Sequence, residues 1–325
     1  MADAPFVSVV IPVKNEEDHI EACLRGVLSQ SYPKNRFEII VVDNGSEDKT
    51  MNILGHYHKL PNVTVLVQNG GTISKVRNRG AKTANGSIIA FLDGDCVPDP
   101  NWLENGVDLL MSDRQIGCVG FVISEPGPNA TWVEKVWYHM SSTSKYRGTT
   151  FVDWLSSFNL ILWNHIFKQV GGFNETLITC EDAEFGYRIG EKNKLLISDS
   201  VKVRHLGESK SLREFFKREF WRGKSNLKGF FISSNKRRDS LSTFVPVAYV
   251  LFVFLLLSWT VYELMTWNIS WQLFVLTILT FIGPPVTLSF LKVKARITIK
   301  ERGQIITLFC LYLLARGLSV LSVRN

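Results

Sequence analysis

The chain has 325 residues, enough for one large domain or two smaller ones, and its 37 Lys and Arg outweigh 30 Asp and Glu to give a net charge of +7. The basic residues crowd around long apolar runs in the C-terminal third, which fits an anionic membrane surface, and no zinc-finger spacing or Arg/Lys-rich helical repeat favours nucleic acid. Five cysteines (Cys23, Cys96, Cys118, Cys180, Cys310) without a C-x-x-C pair argue against a disulfide framework and for reduced thiols, and Met1-Ala-Asp-Ala-Pro-Phe6 lacks the basic flank and apolar core of a signal peptide.

Phe6-Val-Ser-Val-Val-Ile-Pro12 reads as a first strand, rich in β-branched residues and stopped by proline. Lys14-Asn15-Glu16-Glu17 is a polar loop, after which Ile20, Cys23, Leu24, Val27 and Leu28 fall at helical spacing. Phe37 to Asp43 is a second strand ending in a carboxylate, followed by the turn Asn44-Gly45-Ser46. Val63 to Val67 is a third strand, and Gly70-Gly71 opens a loop into a helix with Lys75, Arg77 and Arg79. Ile88-Ile-Ala-Phe-Leu92 is a fourth strand, buried by its unbroken apolar run. It ends in Asp93-Gly94-Asp95, two carboxylates that can share one divalent cation with phosphate oxygens completing the shell; taken alone, the triplet is an ordinary acidic turn. Strand and helix alternating at this spacing predict parallel βαβ units, with ligands beyond the carboxyl ends of the strands. Pro12 to Glu16, Asp43 and Asp93 to Asp95 all lie at that edge.

Four stretches in this order resemble a family 2 glycosyltransferase of the GT-A fold: Val9-Val-Ile-Pro-Val-Lys-Asn-Glu16, Ile40-Val-Val-Asp43 with Gly45-Ser46, Val76-Arg-Asn-Arg-Gly80, and Phe91-Leu-Asp-Gly-Asp95. The resemblance covers roughly the first two-thirds of the chain. It implies a Rossmann-like α/β domain with a mostly parallel sheet, followed here by C-terminal transmembrane helices. It also implies that Pro12, Lys14, Glu16, Asp43, Arg77 and Asp93 bind the nucleotide-sugar, and that Asp95, with Asp93, holds Mn²⁺ or Mg²⁺ on the diphosphate.

From Pro98 to Asp153 the pattern is weaker: a helix through Trp102, Leu103, Val107 and Leu110, a strand over Ile116 to Ile123, and an amphipathic helix through Trp132, Val136, Trp137 and Met140. Phe158-Asn159 and Val170-Gly-Gly-Phe-Asn-Glu175 resemble the acceptor side of the family, which implies acceptor roles for Asn159 and Gly172. Glu181-Asp182 opens an apolar-periodic stretch and reads as a helix N-terminus. By resemblance, Asp182 is the general base and Glu181 orients the acceptor side; Glu184 itself reads as a solvated acid. Val201-Lys-Val-Arg-His205 alternates like a strand; a lone histidine is usually structural, but the resemblance makes His205 a further metal ligand.

Ser211 to Arg238 mixes aromatic and basic residues as interfacial helices do. Processive members of the family carry Gln-x-x-Arg-Trp at this place; Arg218-Glu-Phe-Trp-Arg222 departs from it, which argues for a non-processive enzyme with Arg222 near the diphosphate. Two apolar stretches, about 244–264 and 271–291, are each long enough to cross a membrane. Lys236 to Arg238 precede the first, basic residues from Lys292 to Arg302 follow the second, and none lies between them, which predicts cytosolic flanks. A third stretch, about 304–322, is interrupted by Arg316 and reads as a third span, with an interfacial helix as the alternative.

These readings predict three parts: a cytosolic catalytic domain over 1–210, interfacial helices over 211–240, and a membrane domain over 241–325. The expected activity is inverting, metal-dependent transfer from a nucleotide-sugar, UDP-sugar favoured, to a hydroxyl of a lipid-linked saccharide or glycolipid. The expected setting is the inner membrane of a prokaryote. The alternatives are transfer to a polyprenyl phosphate and a non-catalytic nucleotide-sugar-binding scaffold.

Overall fold

The computed structural model describes residues 4–120, 126–141, 148–232, 236–266, 271–293 and 297–322, except the side chains of 236–239. The chain divides into two compact units, Met1–Glu125 with Lys145–Glu208, and Pro126–Ser144 with Ser209–Asn325.

In chain order the elements begin with β1 (Val7–Val13), α1 (Ile20–Leu28), β2 (Phe37–Asp43), α2 (Thr50–Tyr57), β3 (Val63–Val67), α3 (Ile73–Thr83) and β4 (Ile88–Leu92). They continue with β5 (Cys96–Pro98), α4 (Trp102–Ser112), β6 (Ile116–Gly120), α5 (Trp132–Met140), β7 (Thr149–Val152), β8 (Asn159–Trp163), α6 (Asn164–Val170), α7 (Glu181–Gly190), β9 (Lys194–Ser198) and β10 (Val203–His205). The chain then turns helical: α8 (Leu212–Gly223), α9 (Asn226–Ile232), α10 (Lys236–Met265), α11 (Trp271–Lys292) and α12 (Ile299–Ser319).

The first unit is built on an eight-stranded sheet ordered β3-β2-β1-β4-β8-β6-β9-β7. Its first four strands are parallel neighbours, as the strand–helix alternation predicts. β1 and β4 are buried at every position, because each has a strand on both sides and helices on the faces. The second half of the sheet is mixed. β8 is antiparallel to β4 and β6, β9 is parallel to β6, and β7 closes the edge antiparallel to β9. The strand expected over 116–123 is described only to Gly120; the remainder lies outside the described residues.

A separate two-stranded ribbon decides the site. β10 pairs antiparallel with β5, in a register that sets His205 opposite Cys96 and therefore beside Asp95. The two segments are over a hundred positions apart, and neither is long enough to announce the pairing by its pattern.

Among the described residues, the regular elements of the second unit are all helices. α10, α11 and α12 include three helices long and apolar enough to cross a membrane, over 240–265, 271–292 and 299–322. Two borders differ from the sequence expectation. Residues 126–144, expected in the catalytic domain, belong to the second unit, because Val133, Val136 and Met140 of α5 pack in one apolar cluster with Phe215, Ile305, Leu308 and Phe309. The border expected at 240/241 falls inside α10.

Candidate active site

The site gathers at the carboxyl edge of β1, β2 and β4. Pro12 is buried near the end of β1, and Lys14 stands exposed just past it. The next loop is stitched to the one after β2. The Asn15 amide donates to Ser46 Oγ at 2.8 Å, Glu47 N to Asn15 Oδ1 at 2.9 Å, and Glu16 N to Thr50 Oγ1 at 2.8 Å. The rim these bonds hold is anchored by Asp43, which is 1% exposed. Asp43 Oδ2 accepts from the amides of Gly45 and Ser46, at 3.0 and 3.1 Å, whereas Oδ1 is buried with no hydrogen-bond partner among the described residues. A buried carboxylate oxygen without a donor is costly, about 1–3 kcal/mol, and marks a place where a ligand N–H or O–H belongs.

The acidic centre comprises Glu16, Asp93 and Asp95. Burial raises the Glu16 carboxyl, and Asp95 raises it further, against a 2.9 Å contact from His19 Nδ1. His205 Nε2 lies 3.5 Å from Asp95 Oδ2, and its ring stands edge-on to Phe158. His205 Nδ1 is buried without a hydrogen bond, 3.8 Å from a Glu208 carboxylate oxygen. The loop after β10 presses on the same carboxylate, since a Cβ at Gly207 would collide with Asp95 Oδ2. Carboxylate oxygen and neutral imidazole together suit a hard or borderline divalent cation. Cys96 lies within reach of the same point, but burial pushes its thiol well up, so it stays protonated and offers such an ion little.

Arg77 joins this centre to the start of α7. Its Nη2 donates to Asp93 Oδ1 at 2.8 Å, its Nη1 to Glu181 Oε1 at 2.9 Å, and its guanidinium lies 5.6 Å from the centre of the Phe173 ring. The sequence reading set Arg77 on the nucleotide-sugar; instead both arms of its fork are committed to carboxylates in a buried setting. Burial and the neighbouring Asp182 hold the Glu181 carboxyl up at about 8 despite Arg77. Asp182 is partly exposed, and its Oδ2 accepts from Ser157 N at 3.3 Å.

The loop before α7 is held from two sides. Asn78 receives the Phe173 amide on Oδ1 and donates from Nδ2 to Phe173 O and Glu175 Oε1, all at 2.9 Å. Arg188 donates to Val170 O and Gly172 O and pairs with Glu184, which is therefore a structural partner and not a solvated acid. Gly172 has φ +73°, a left-handed conformation that glycine adopts without strain. The positioning role of Asn78 was hidden, because its partners are nearly a hundred positions away.

Two expected residues are engaged by other partners. Asn159 is fully buried, accepting from Trp102 Nε1 at 2.8 Å and donating to Val201 O at 2.8 Å, so it ties strands to helix inside the core and presents nothing to an acceptor. Arg222 lies in the second unit, where it pairs with Glu219 at 2.8 Å and covers Trp137. A cavity of about 690 Å³ opens at the other edge of the sheet, between Gly86, Trp163 and Asn193, and none of the candidate site residues lines it.

Residues 8–171 match the family described as Glycosyl transferase family 2. Glycosyltransferase AglE of Haloferax volcanii is 30% identical over 251 residues, covering 76% of this chain and 82% of that protein. The dolichyl N-acetyl-alpha-D-glucosaminyl phosphate 3-beta-D-2,3-diacetamido-2,3-dideoxy-beta-D-glucuronosyltransferase of Methanococcus voltae is 26% identical over 246 residues, covering 70% of this chain and 75% of that protein. Among solved structures, the mannosyltransferase PcManGT from Pyrobaculum calidifontis superposes with a TM-score of 0.67 at 17% identity, covering 99% of this chain and 88% of that one. The order of the parallel strands, the Asp93-Gly94-Asp95 turn at the end of β4, and these matches agree: the chain belongs to glycosyltransferase family 2 and carries a GT-A nucleotide-sugar transferase domain.

Proposed function

We propose that this enzyme is an inverting, non-processive transferase that passes a sugar from a nucleotide diphosphate-sugar, UDP-sugar first among the candidates, to a hydroxyl of a lipid-linked saccharide at a prokaryotic inner membrane. One observation carries the reading. Arg77 bridges Asp93 of the donor motif to Glu181, the neighbour of Asp182, so the donor-side carboxylates and the candidate base are held in one rigid network. Asp43 Oδ1 and the stitched rim around it would receive the nucleoside. Asp95 and His205 would hold a divalent ion, Mn²⁺ or Mg²⁺, which when bound offsets the negative charge of the leaving diphosphate. Mn²⁺ accompanies GDP-Man in the Pyrobaculum calidifontis structure, and UDP-GlcNAc occupies TarS of S. aureus, a second GT-A neighbour at TM-score 0.51.

Asp182 would take the proton of the acceptor hydroxyl as that oxygen bonds to the anomeric carbon. The bond from that carbon to the nucleotide diphosphate breaks on the opposite face, and one displacement inverts the configuration. The lipid-linked acceptor is supported by the name of the Methanococcus voltae relative and by the three long apolar helices. The non-processive assignment rests on Arg218 to Arg222, where the processive motif is absent.

The test is nucleotide diphosphate release by the purified protein with Mn²⁺ or Mg²⁺ across UDP- and GDP-sugars, offering polyprenyl phosphate and a membrane lipid extract in separate reactions. Asp182→Asn is expected to lower turnover with the extract by roughly 100- to 10,000-fold. Turnover with polyprenyl phosphate alone, surviving that substitution, would move the acceptor from a hydroxyl to an already ionised phosphate. Absence of donor turnover under every condition would leave the scaffold reading.

A further inference from the structure

Three helices of the second unit are long and apolar enough to cross a membrane, but their contacts set one apart. α10 and α11 form an antiparallel hairpin, marked by Tyr249 Oη donating to Phe281 O at 2.8 Å and by Thr260 facing Thr277 at 3.4 Å. The start of α10 and the end of α11 are therefore at the same end of the hairpin. α12 meets that end with both of its own ends. Near its start, Arg302 Nη1 donates to Ser289 O at 2.6 Å, in the last turn of α11, and to Val293 O at 3.2 Å, one residue past its end. Near its finish, Gly317 lies against Pro246 and Val250, and Leu313 clusters with Tyr249 and Val253, all between positions 246 and 253 of α10. Arg302 and Gly317 are separated by roughly 22 Å of helix at 1.5 Å per residue, yet they contact the hairpin at one level.

The second observation is independent of the hairpin. α8 runs beside α12 between Ile305 and Ser319: Phe215 clusters with Ile305, Leu308 and Phe309, Glu219 pairs with Arg316 at 2.8 Å, and Gly223 lies against Ser319. Half of α8 is charged, namely Arg213, Glu214, Lys217, Arg218, Glu219 and Arg222. A helix of that composition does not enter hydrocarbon, so its neighbour along the same length does not cross it either. The outward residues of this layer include exposed Trp221, Phe231 and Trp132 among lysines and arginines, the composition of a bilayer interface.

We infer that α12 is not a third span: it lies in the plane of the membrane interface, across the end of a two-helix hairpin, and with α5 and α8 forms a platform on the lipid headgroups. Arg316 then needs no path to the far interface, since Glu219 and Asn226 accept its guanidinium on the near side.

Single cysteines at the two ends of α12 test this. Ile299 is 94% exposed and Leu321 80% exposed, so Ile299→Cys and Leu321→Cys disturb no packing. Lys217→Cys on α8 marks the face from which α10 enters. Each full-length variant is labelled with a membrane-impermeant maleimide in sealed vesicles of both orientations, with the parent chain as the blank for its own cysteines. We expect all three positions to label from one face. Labelling of positions 299 and 321 from opposite faces would overturn the inference and restore a third span.

Discussion

Arg77 dominates the energetics at the scale of single residues. It is buried between Asp93 and Glu181, and removing it leaves the Asp93 carboxylate uncompensated and Glu181 without its donor, at about 3–5 kcal/mol. Arg77→Met is accordingly expected to lose that much stability in thermal or denaturant unfolding in detergent. Arg77→Lys is expected to fall between, because one ammonium cannot reproduce the fork. A loss below about 1 kcal/mol for the methionine variant would show that the network does not hold the site. Glu181 adds a pH dependence of definite sign. Its carboxyl ionises at about 8 in the fold against 4.5 ordinarily, so its contribution is fully present below 4.5 and is lost as pH rises through 8. The parent's melting temperature should therefore carry a downward component across that interval that Glu181→Gln lacks. Parallel profiles for the two proteins would mean that Glu181 is ionised in the fold.

At the scale of elements, the β5–β10 ribbon creates the candidate metal site. Neither strand carries chemistry by itself, but their register brings His205 beside Asp95 and lays Gly207 on the Asp95 carboxylate. Gly207→Ala should displace that carboxylate without touching the main sheet. The expected result is roughly a 10- to 100-fold increase in the Mn²⁺ concentration needed for half-maximal turnover, at nearly unchanged melting temperature. An unchanged metal requirement would remove Asp95 as the principal ligand. The same reasoning explains the reassignment of Asn159. Its position at the start of β8, beside the donor motif in the sheet, resembles an acceptor residue in sequence, but the antiparallel pairing turns its side chain inward onto Trp102.

At the scale of the molecule, the two units do not follow the chain as consecutive blocks. Residues 126–144 leave the first unit and give α5 to the second, where Val133, Val136 and Met140 lose their exposure. A chain ending at Glu208 would present those three side chains to water and is expected to aggregate. Replacing 126–144 by a flexible linker in the same truncated chain is expected to restore a soluble, monodisperse product, as read by size-exclusion chromatography. Equal solubility of the two truncations would mean that α5 does not depend on the second unit.

Local pattern was enough to determine the parallel half of the sheet, the carboxylates at its edge and the two long apolar helices, because strand burial, turn chemistry and hydrocarbon thickness each act within a few consecutive residues. It also placed Asp43, Asp93, Asp95 and Asp182 at the ends of their elements, since those ends are written in the same short stretches. What remained for the tertiary structure was every relation between distant segments. Arg77 became a bridge only when α3 met α7, and His205 reached Asp95 only through the ribbon register. Asn159 turned inward only on pairing β8 with β4, and α12 differed from its two apolar neighbours only in what packed beside it. Apolar periodicity reports that a face is buried, and it carries no information about which partner buries it; that partner decides whether a charge binds a substrate or another side chain.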